Sequence, residues 1–252
     1  MQFKLIFVIL NLLSALVFAE ETNLYQVNYL TQSNDSLHSL QKKPDTKIYS
    51  GTNNKDHDNN TMLEDGYDLM GVSSFQGPFV EPNQALKHAQ SIRADVVYVY
   101  PRKMNEMTRT ERLRQIHAEM KKSSKGEKNS VIEVSEADLQ DKNSKFEFYA
   151  TYWAKLPQQI FGVHVIKLVT TNSDTKEKKE EPGLKVRAVI KDSPAFKAGI
   201  EKGDIILKLN DLNVDSIEDY SKAVQKNQGT KVKVTLIRDD KEKITTAEFY
   251  RR

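Results

Sequence analysis

The chain has 252 residues, with 38 Lys and Arg against 35 Asp and Glu, a formal charge of +3 at pH 7, and no cysteine. Charges of both signs are interspersed along it, which describes a solvated surface and excludes a dedicated nucleic-acid binder. The lack of cysteine excludes a disulfide framework and a lipid-modified cysteine behind an export signal.

In chain order, Lys4 precedes an apolar run from Leu5 to Phe18, broken only by Asn11 and Ser14 and ending at Ala19 before Glu20 and Glu21. This pattern predicts a secretory signal at residues 1–19, cleaved after Ala19, and a periplasmic or secreted protein. The run is shorter than the about 18–20 residues of a membrane span; an uncleaved N-terminal membrane anchor is the alternative. Residues 20–46 are rich in Asn, Gln, Ser and Thr and predict a flexible leader. The remaining length suits two domains of about 100–150 residues each.

Residues 47–155 predict a small α/β domain. Lys47, Ile48 and Tyr49 suit a short strand, residues 59–64 a short helix, and Leu69 to Phe75 a strand ended by the turn Gln76, Gly77, Pro78. Pro82 opens a helix to Arg93, with Ala85, Ala89 and Ile92 at near-helical spacing. Asp95 to Tyr100 is a strand rich in β-branched and aromatic residues, stopped by Pro101, and Phe146 to Trp153 is another. Strand, helix, strand permits a crossover connection without fixing parallel pairing. A charged insertion at 102–145 holds a predicted helix from Glu111 to Lys122, with Leu113, Ile116 and Met120 on one face among basic residues. Such a helix lies on an anionic surface or packs on its own domain; its thin apolar stripe without aromatic anchors favours the second.

Residues 156–252 predict a second domain. Ile160, Phe161, Gly162 and Val163 precede an apolar strand, and residues 170–182, with their Lys and Glu run, predict a disordered loop. Val186, Ala188 and Ile190 alternate with Lys185, Arg187 and Val189, the period of a half-buried strand. Ser193 and Pro194 open a short helix as cap and first-turn proline, and Gly199 closes it. Gly203 and Asp204 turn into the strand Ile205 to Leu207, and Asn210 and Asp211 form the next turn. Residues 217–226 form a helix with Tyr220, Ala223 and Val224 on one face, and Val232 to Ile237 a closing strand. Trp153 and Pro157 fall at the join, which predicts a packed interface between the domains.

This ordered set of loop, strands, Gly turns and helices resembles a PDZ domain in the bacterial strand order, the type found in periplasmic trypsin-like heat-shock proteases. The fold class is therefore α+β: a small α/β domain followed by a PDZ-like, partly open β-barrel with two helices. Gly66, Tyr67, residues 71–75, Gly77, Gln84, Ala85 and residues 94–97 resemble a small domain that precedes PDZ modules in some bacterial exported proteins; the resemblance attaches no activity to it.

The resemblance implies a site. PDZ grooves accept an extended segment, usually a chain's C-terminus, as a strand beside a sheet edge. Here Ile160, Phe161, Gly162 and Val163 would receive the terminal carboxylate on backbone amides, because successive N–H groups in a tight loop make an anion-binding concavity. Val163, His164 and Val165 would begin the strand that pairs with the peptide. From the family's usual helix layout, Glu218, Lys222 and Gln225 would face the groove. That wall is polar, which leaves open a polar or internal segment as ligand, or a groove filled by the chain itself. Packing alone also accounts for Phe161 and Val163.

No cofactor or metal is expected, since the histidines are scattered and no His-Glu-x-x-His or similar spacing occurs. Ser73 and Ser74 lack the Gly-x-Ser-x-Gly setting of a nucleophile elbow, and the region ahead of the PDZ-like part is too short for a trypsin-like double barrel. The expectation is a non-catalytic exported adaptor whose partner is a protein or peptide with an exposed C-terminus or strand. The competing readings are a structural interaction protein with an occluded groove that binds through its α/β domain, and a serine hydrolase assembled in space.

Overall fold

The computed structural model describes residues 22–32, 37–104, 145–171 and 178–252, with single positions at 110, 111, 113, 114, 116, 118, 173 and 176. The predicted signal and most of the charged insertion lie outside the described residues. Within the insertion, the described positions from 110 to 118 are helical, and Ile116 is buried. Among the described residues no helix is long and apolar enough to cross a membrane.

The first half contains, in order, α1 (Leu24–Val27), β1 (Tyr29–Thr31), β2 (Lys47–Ser50), α2 (Lys55–Glu64), β3 (Tyr67–Gly77), α3 (Pro82–Ser91), β4 (Val96–Lys103) and β5 (Phe146–Lys155). Its five strands run in the order β1-β3-β5-β4-β2. β2 pairs parallel to β4, while β5 is antiparallel to both β3 and β4. The crossover through α3 therefore joins parallel strands, with β5 inserted between them.

Two expectations are corrected here. The stretch expected to be a flexible leader is ordered over its described part: Asn23 caps α1, its amide donates to the Gln84 carbonyl, and Tyr25 is buried against Phe75 and Phe148. One large aromatic ring supplies the burial that the polar composition concealed. β4 also continues through Pro101, which pairs with Phe148. β2 pairs only as far as Val99, so Pro101 lies where β4 has become an edge strand, a place where sheets accept proline.

The second half contains β6 (Val163–Ile166), β7 (Val169–Thr171), β8 (Lys178–Glu180), β9 (Leu184–Val189), α4 (Pro194–Lys197), β10 (Ile205–Leu209), β11 (Leu212–Asn213), α5 (Ile217–Lys226), β12 (Lys231–Arg238) and β13 (Lys241–Glu248). The main sheet runs β13-β12-β10-β9-β6, with β11 attached to β10. It does not close into a barrel; β13 and β6 are its edges. The loop expected to be disordered instead carries the β7–β8 hairpin, paired from Val169 with Glu180 to Thr171 with Lys178. Its β-branched residues favour a strand that the flanking charges masked.

Local chemistry accounts for the turns. The Ser193 hydroxyl accepts from the Phe196 amide at the start of α4, and Ser216 does the same for Asp219 at the start of α5. Gly199, Gly203 and Asn210 hold the left-handed φ values of 70°, 101° and 52° that their turns require. Asp204 is buried and bonded twice by the Arg238 guanidinium, at 2.7 Å on each oxygen, while the Glu201 amide donates to it at 2.9 Å. This ties the turn before β10 to the end of β12.

The halves meet in a small apolar cluster of Met62, Leu63, Val96, Trp153 and Ala188. Ala188 belongs to β9, and the others to α2, β4 and β5, so the C-terminal end of α2 lies against the second sheet. The Lys191 amide donates to the Glu64 carbonyl at 2.8 Å, and the Lys191 ammonium pairs with Asp65. The expected packed interface is present, and Trp153 is its largest buried side chain.

Candidate functional site

The loop from Ile160 to Gly162 is held entirely through its carbonyl groups. The Ile160 carbonyl accepts from the Tyr250 amide at 3.0 Å, Phe161 from Ala195 at 2.9 Å, and Gly162 from Ile190 at 2.9 Å. The side chains of Ile160 and Phe161 are buried in the core, where Phe161 stacks on Phe249 with ring centroids 4.7 Å apart. Gly162 has φ of 91°, and a Cβ there would collide with the Ser193 side chain. With its carbonyls turned inward, the loop presents the N–H groups of Phe161 and Gly162 with no hydrogen-bond partner among the described residues. Both residues line a cavity beside α5, where unpaired donors are available to an anion.

β6 leaves this loop as an edge strand. Val163 pairs with Val189 and His164 with Ala188, and after a bulge Val165 pairs with Val186. On its other side β6 has no strand partner among the described residues. Val163 and Val165 pack onto the core of the second half, as the alternation requires.

A cavity of about 140 Å³ opens where the loop faces α5, lined by residues 159–163, Tyr220, Ser221, Val224, Gln225 and Arg252. Gln225 is among the lining residues. Glu218 and Lys222 do not line it; both are exposed, about one helical step round from the lining face. The Ser216 cap sets the register of α5, and from it Ser221, Val224 and Gln225 share a face beside the half-buried Tyr220 and the buried Ala223. Ser216, a serine one residue ahead of the helix, is the sequence signal that locates this face, which the family's usual helix layout did not. Burial raises the pKa of the Tyr220 hydroxyl. The wall is consequently less charged than expected: an apolar floor rimmed by Ser221, Gln225 and one arginine. Arg252, which sequence reasoning missed, is brought in by the terminal segment, whose Tyr250 amide bonds the loop.

His164, expected in the strand that pairs with the peptide, lies in that strand but close to Leu63 and Asp68 of the first half. Its Nε2 is buried without a partner among the described residues. Burial lowers its pKa, aided by Arg187 and opposed by Asp68 and the Leu63 carbonyl. The cause is the docking of α2 beside Ala188, the strand neighbour of His164.

The remaining candidates are structural in their surroundings. Ser73 is buried, donates to the Tyr25 carbonyl at 2.7 Å and lies 3.1 Å from the Tyr152 hydroxyl. Ser74 is exposed on the opposite face of β3. His88 packs edge-on against Tyr29 and Tyr152, and burial pushes its pKa down to about 4. A cleft of about 700 Å³ between the halves includes Asp65, Lys155 and Lys191, but these are tied to one another through the Asp65 carboxylate and carbonyl. Among the described residues no group of three His, Asp or Glu could hold a metal ion.

Comparison with known proteins agrees with the geometry of the second half. Residues 185–238 match the family described as PDZ domain. The chain therefore contains a PDZ domain, and the matched residues run from β9 through α4 and α5 to the end of β12. A search of curated proteins found no match. Among solved structures, the HtrA3 PDZ domain bound to a phage-derived ligand, FGRWV, is similar at 19% identity over 36% of this chain and 84% of that one, with a TM-score of 0.28. The serine endoprotease from Yersinia pestis is 26% identical over 37% of this chain and 29% of its own, with a TM-score of 0.28. The HtrA-type protease AlgW with a decapeptide is 20% identical over 49% of this chain and 41% of its own, with a TM-score of 0.32. The chain spans less than half the length of these two proteases.

Proposed function

We propose that this protein is a non-catalytic, exported binding protein that captures another polypeptide by its free C-terminus. The ligand lies as an added strand on β6, with its carboxylate on the Phe161 and Gly162 amides and its last side chain against Phe161, Val163 and Val224. The observation that carries this reading is the pair of unpartnered amides at the head of an unpaired strand edge, beside a cavity of side-chain size. Backbone pairing along β6 gives affinity, and the cavity selects the terminal residue. At about 140 Å³ the cavity suits an aliphatic side chain such as valine or leucine.

The first half acts as a buttress. α2 covers the outer face of β6 and β9 through His164 and Ala188, so the peptide-binding strand is braced from behind. The buried, bonded hydroxyl of Ser73 supports a structural role for that serine, and with it a binding function rather than hydrolysis. Export rests on the residues of the N-terminal signal.

The test is binding of the full chain to a library of peptides with free C-termini and to the same peptides amidated. The expected result is retention of free acids ending in aliphatic residues and loss of binding on amidation. Equal binding of both forms would contradict carboxylate capture.

A further inference from the structure

The cavity beside the Phe161–Val163 loop has one charged residue among those that line it, Arg252. No lysine, aspartate or glutamate shares that wall. The position of Arg252 follows from the segment before it. The Tyr250 amide donates to the Ile160 carbonyl at 3.0 Å, the Gly229 amide to the Tyr250 carbonyl at 3.3 Å, and the Arg252 amide to the Gln228 side-chain oxygen at 3.2 Å. Residues 249–252 are thus clamped between the carboxylate loop and the turn that follows α5. Arg252 is exposed, and no ion pair engages its guanidinium among the described residues. Arg238, by contrast, is consumed by Asp204 and Glu201.

We propose that Arg252 is a ligand-binding residue: its guanidinium supplies the positive charge that pairs with the terminal carboxylate held by the loop amides. This inference rests on the reading of the groove as a receptor for C-termini. Two backbone N–H groups satisfy part of a carboxylate's acceptor capacity and leave its charge uncompensated. A guanidinium presents paired donors in a fork that matches a carboxylate, and charge-assisted hydrogen bonds are about twice as strong as neutral ones. Arg252 therefore sets the preference for a free chain end over an internal strand, while β6 and the aliphatic cavity serve both.

The experiment measures fluorescence anisotropy of the full chain and its Arg252→Gln, Arg252→Lys and Arg252→Glu variants. The probe is a pool of labelled heptapeptides ending in valine, as free acids and as amides. The wild-type chain should prefer the acids, and Arg252→Gln should weaken acid binding about tenfold while leaving amide binding unchanged. Arg252→Lys should recover part of the loss, because it keeps the charge without the fork, and Arg252→Glu should bind the acids most weakly. Acid binding by the wild type should also fall with added salt, and do so less for Arg252→Gln. If the wild type prefers acids and Arg252→Gln does so equally, the assignment of Arg252 is wrong and the groove reading stands. If the wild type does not distinguish acids from amides, both are overturned.

Discussion

Two loops show how the halves of this molecule use backbone donors differently. At residues 51–54 in the first half, the buried Asp58 carboxylate accepts from the Thr52 amide at 2.7 Å, the Thr52 hydroxyl at 2.9 Å and the Tyr100 hydroxyl at 3.1 Å. That loop carries its own anion, and its Gly51, Thr52 and Asn54 amides are spent. At residues 160–162 in the second half, the carbonyls are spent and the amides of Phe161 and Gly162 are not. A saturated loop holds a fold, whereas an unsaturated one awaits a ligand, because an unpaired buried or half-buried donor is costly to retain. The same contrast separates Ser73, bonded at both ends, from the open edge of β6.

Breaking the junction should have the largest effect. Trp153→Ala leaves a cavity among Met62, Leu63 and Val96, and should cost about 3–5 kcal/mol in urea unfolding. It should weaken peptide binding as well, because β6 loses its brace. Asp204→Ala removes both bonds to Arg238 and the acceptor of the Glu201 amide, while Arg238 keeps Glu201 and the Gly199 carbonyl; about 2–3 kcal/mol should be lost from the PDZ domain.

Acid should act through His88. Its folded pKa of about 4 lies below the unfolded value near 6.5, so between these values the unfolded chain binds a proton that the native chain does not. Stability is full above pH 6.5 and falls as the pH drops toward 4, by up to about 3 kcal/mol. Thermal melts across that window should show the loss, and His88→Phe should reduce it. His164 contributes in the same direction, since burial also lowers its pKa.

Changes at the groove should separate binding from folding. Ser221→Trp places a ring over the cavity from an exposed helix position; it should abolish peptide binding while changing stability by no more than about 0.5 kcal/mol. It is a cleaner probe than Gly162→Glu, which also forces a side chain into Ser193. Ser73→Ala should cost about 1 kcal/mol for its hydrogen bond and leave peptide binding unchanged. Loss of binding in Ser73→Ala with stability intact would blur the division between the two halves.

Much of the second half was legible because its turns demand particular residues. Gly199, Gly203 and Asn210 sit at left-handed φ, and Ser193 and Ser216 are helix caps, so residue type reports geometry directly. β13 was not legible: it is polar and exposed except at its end, and its eight-residue pairing with β12 supplies what side-chain burial does not. The hairpin turn, with Asp239 and Asp240 both at positive φ, was its one local signal. Tyr25 and β1 were hidden for the opposite reason, since a single buried ring in a polar stretch has no periodicity. The candidate site was legible in its loop, where Phe161, Gly162 and Val163 lie together. It was misplaced on the helix by about one step, and His164 and Arg252 owe their surroundings to contacts distant in the chain.

The central claim is that the Phe161 and Gly162 amides receive a carboxylate, and amide proton shifts of the full chain test it most directly. Titration with a valine-ending peptide should move the Phe161 and Gly162 resonances strongly downfield, with smaller shifts along β6, and the amidated peptide should leave those two unmoved. Equal shifts with both peptides, or shifts confined to the first half, would contradict the account.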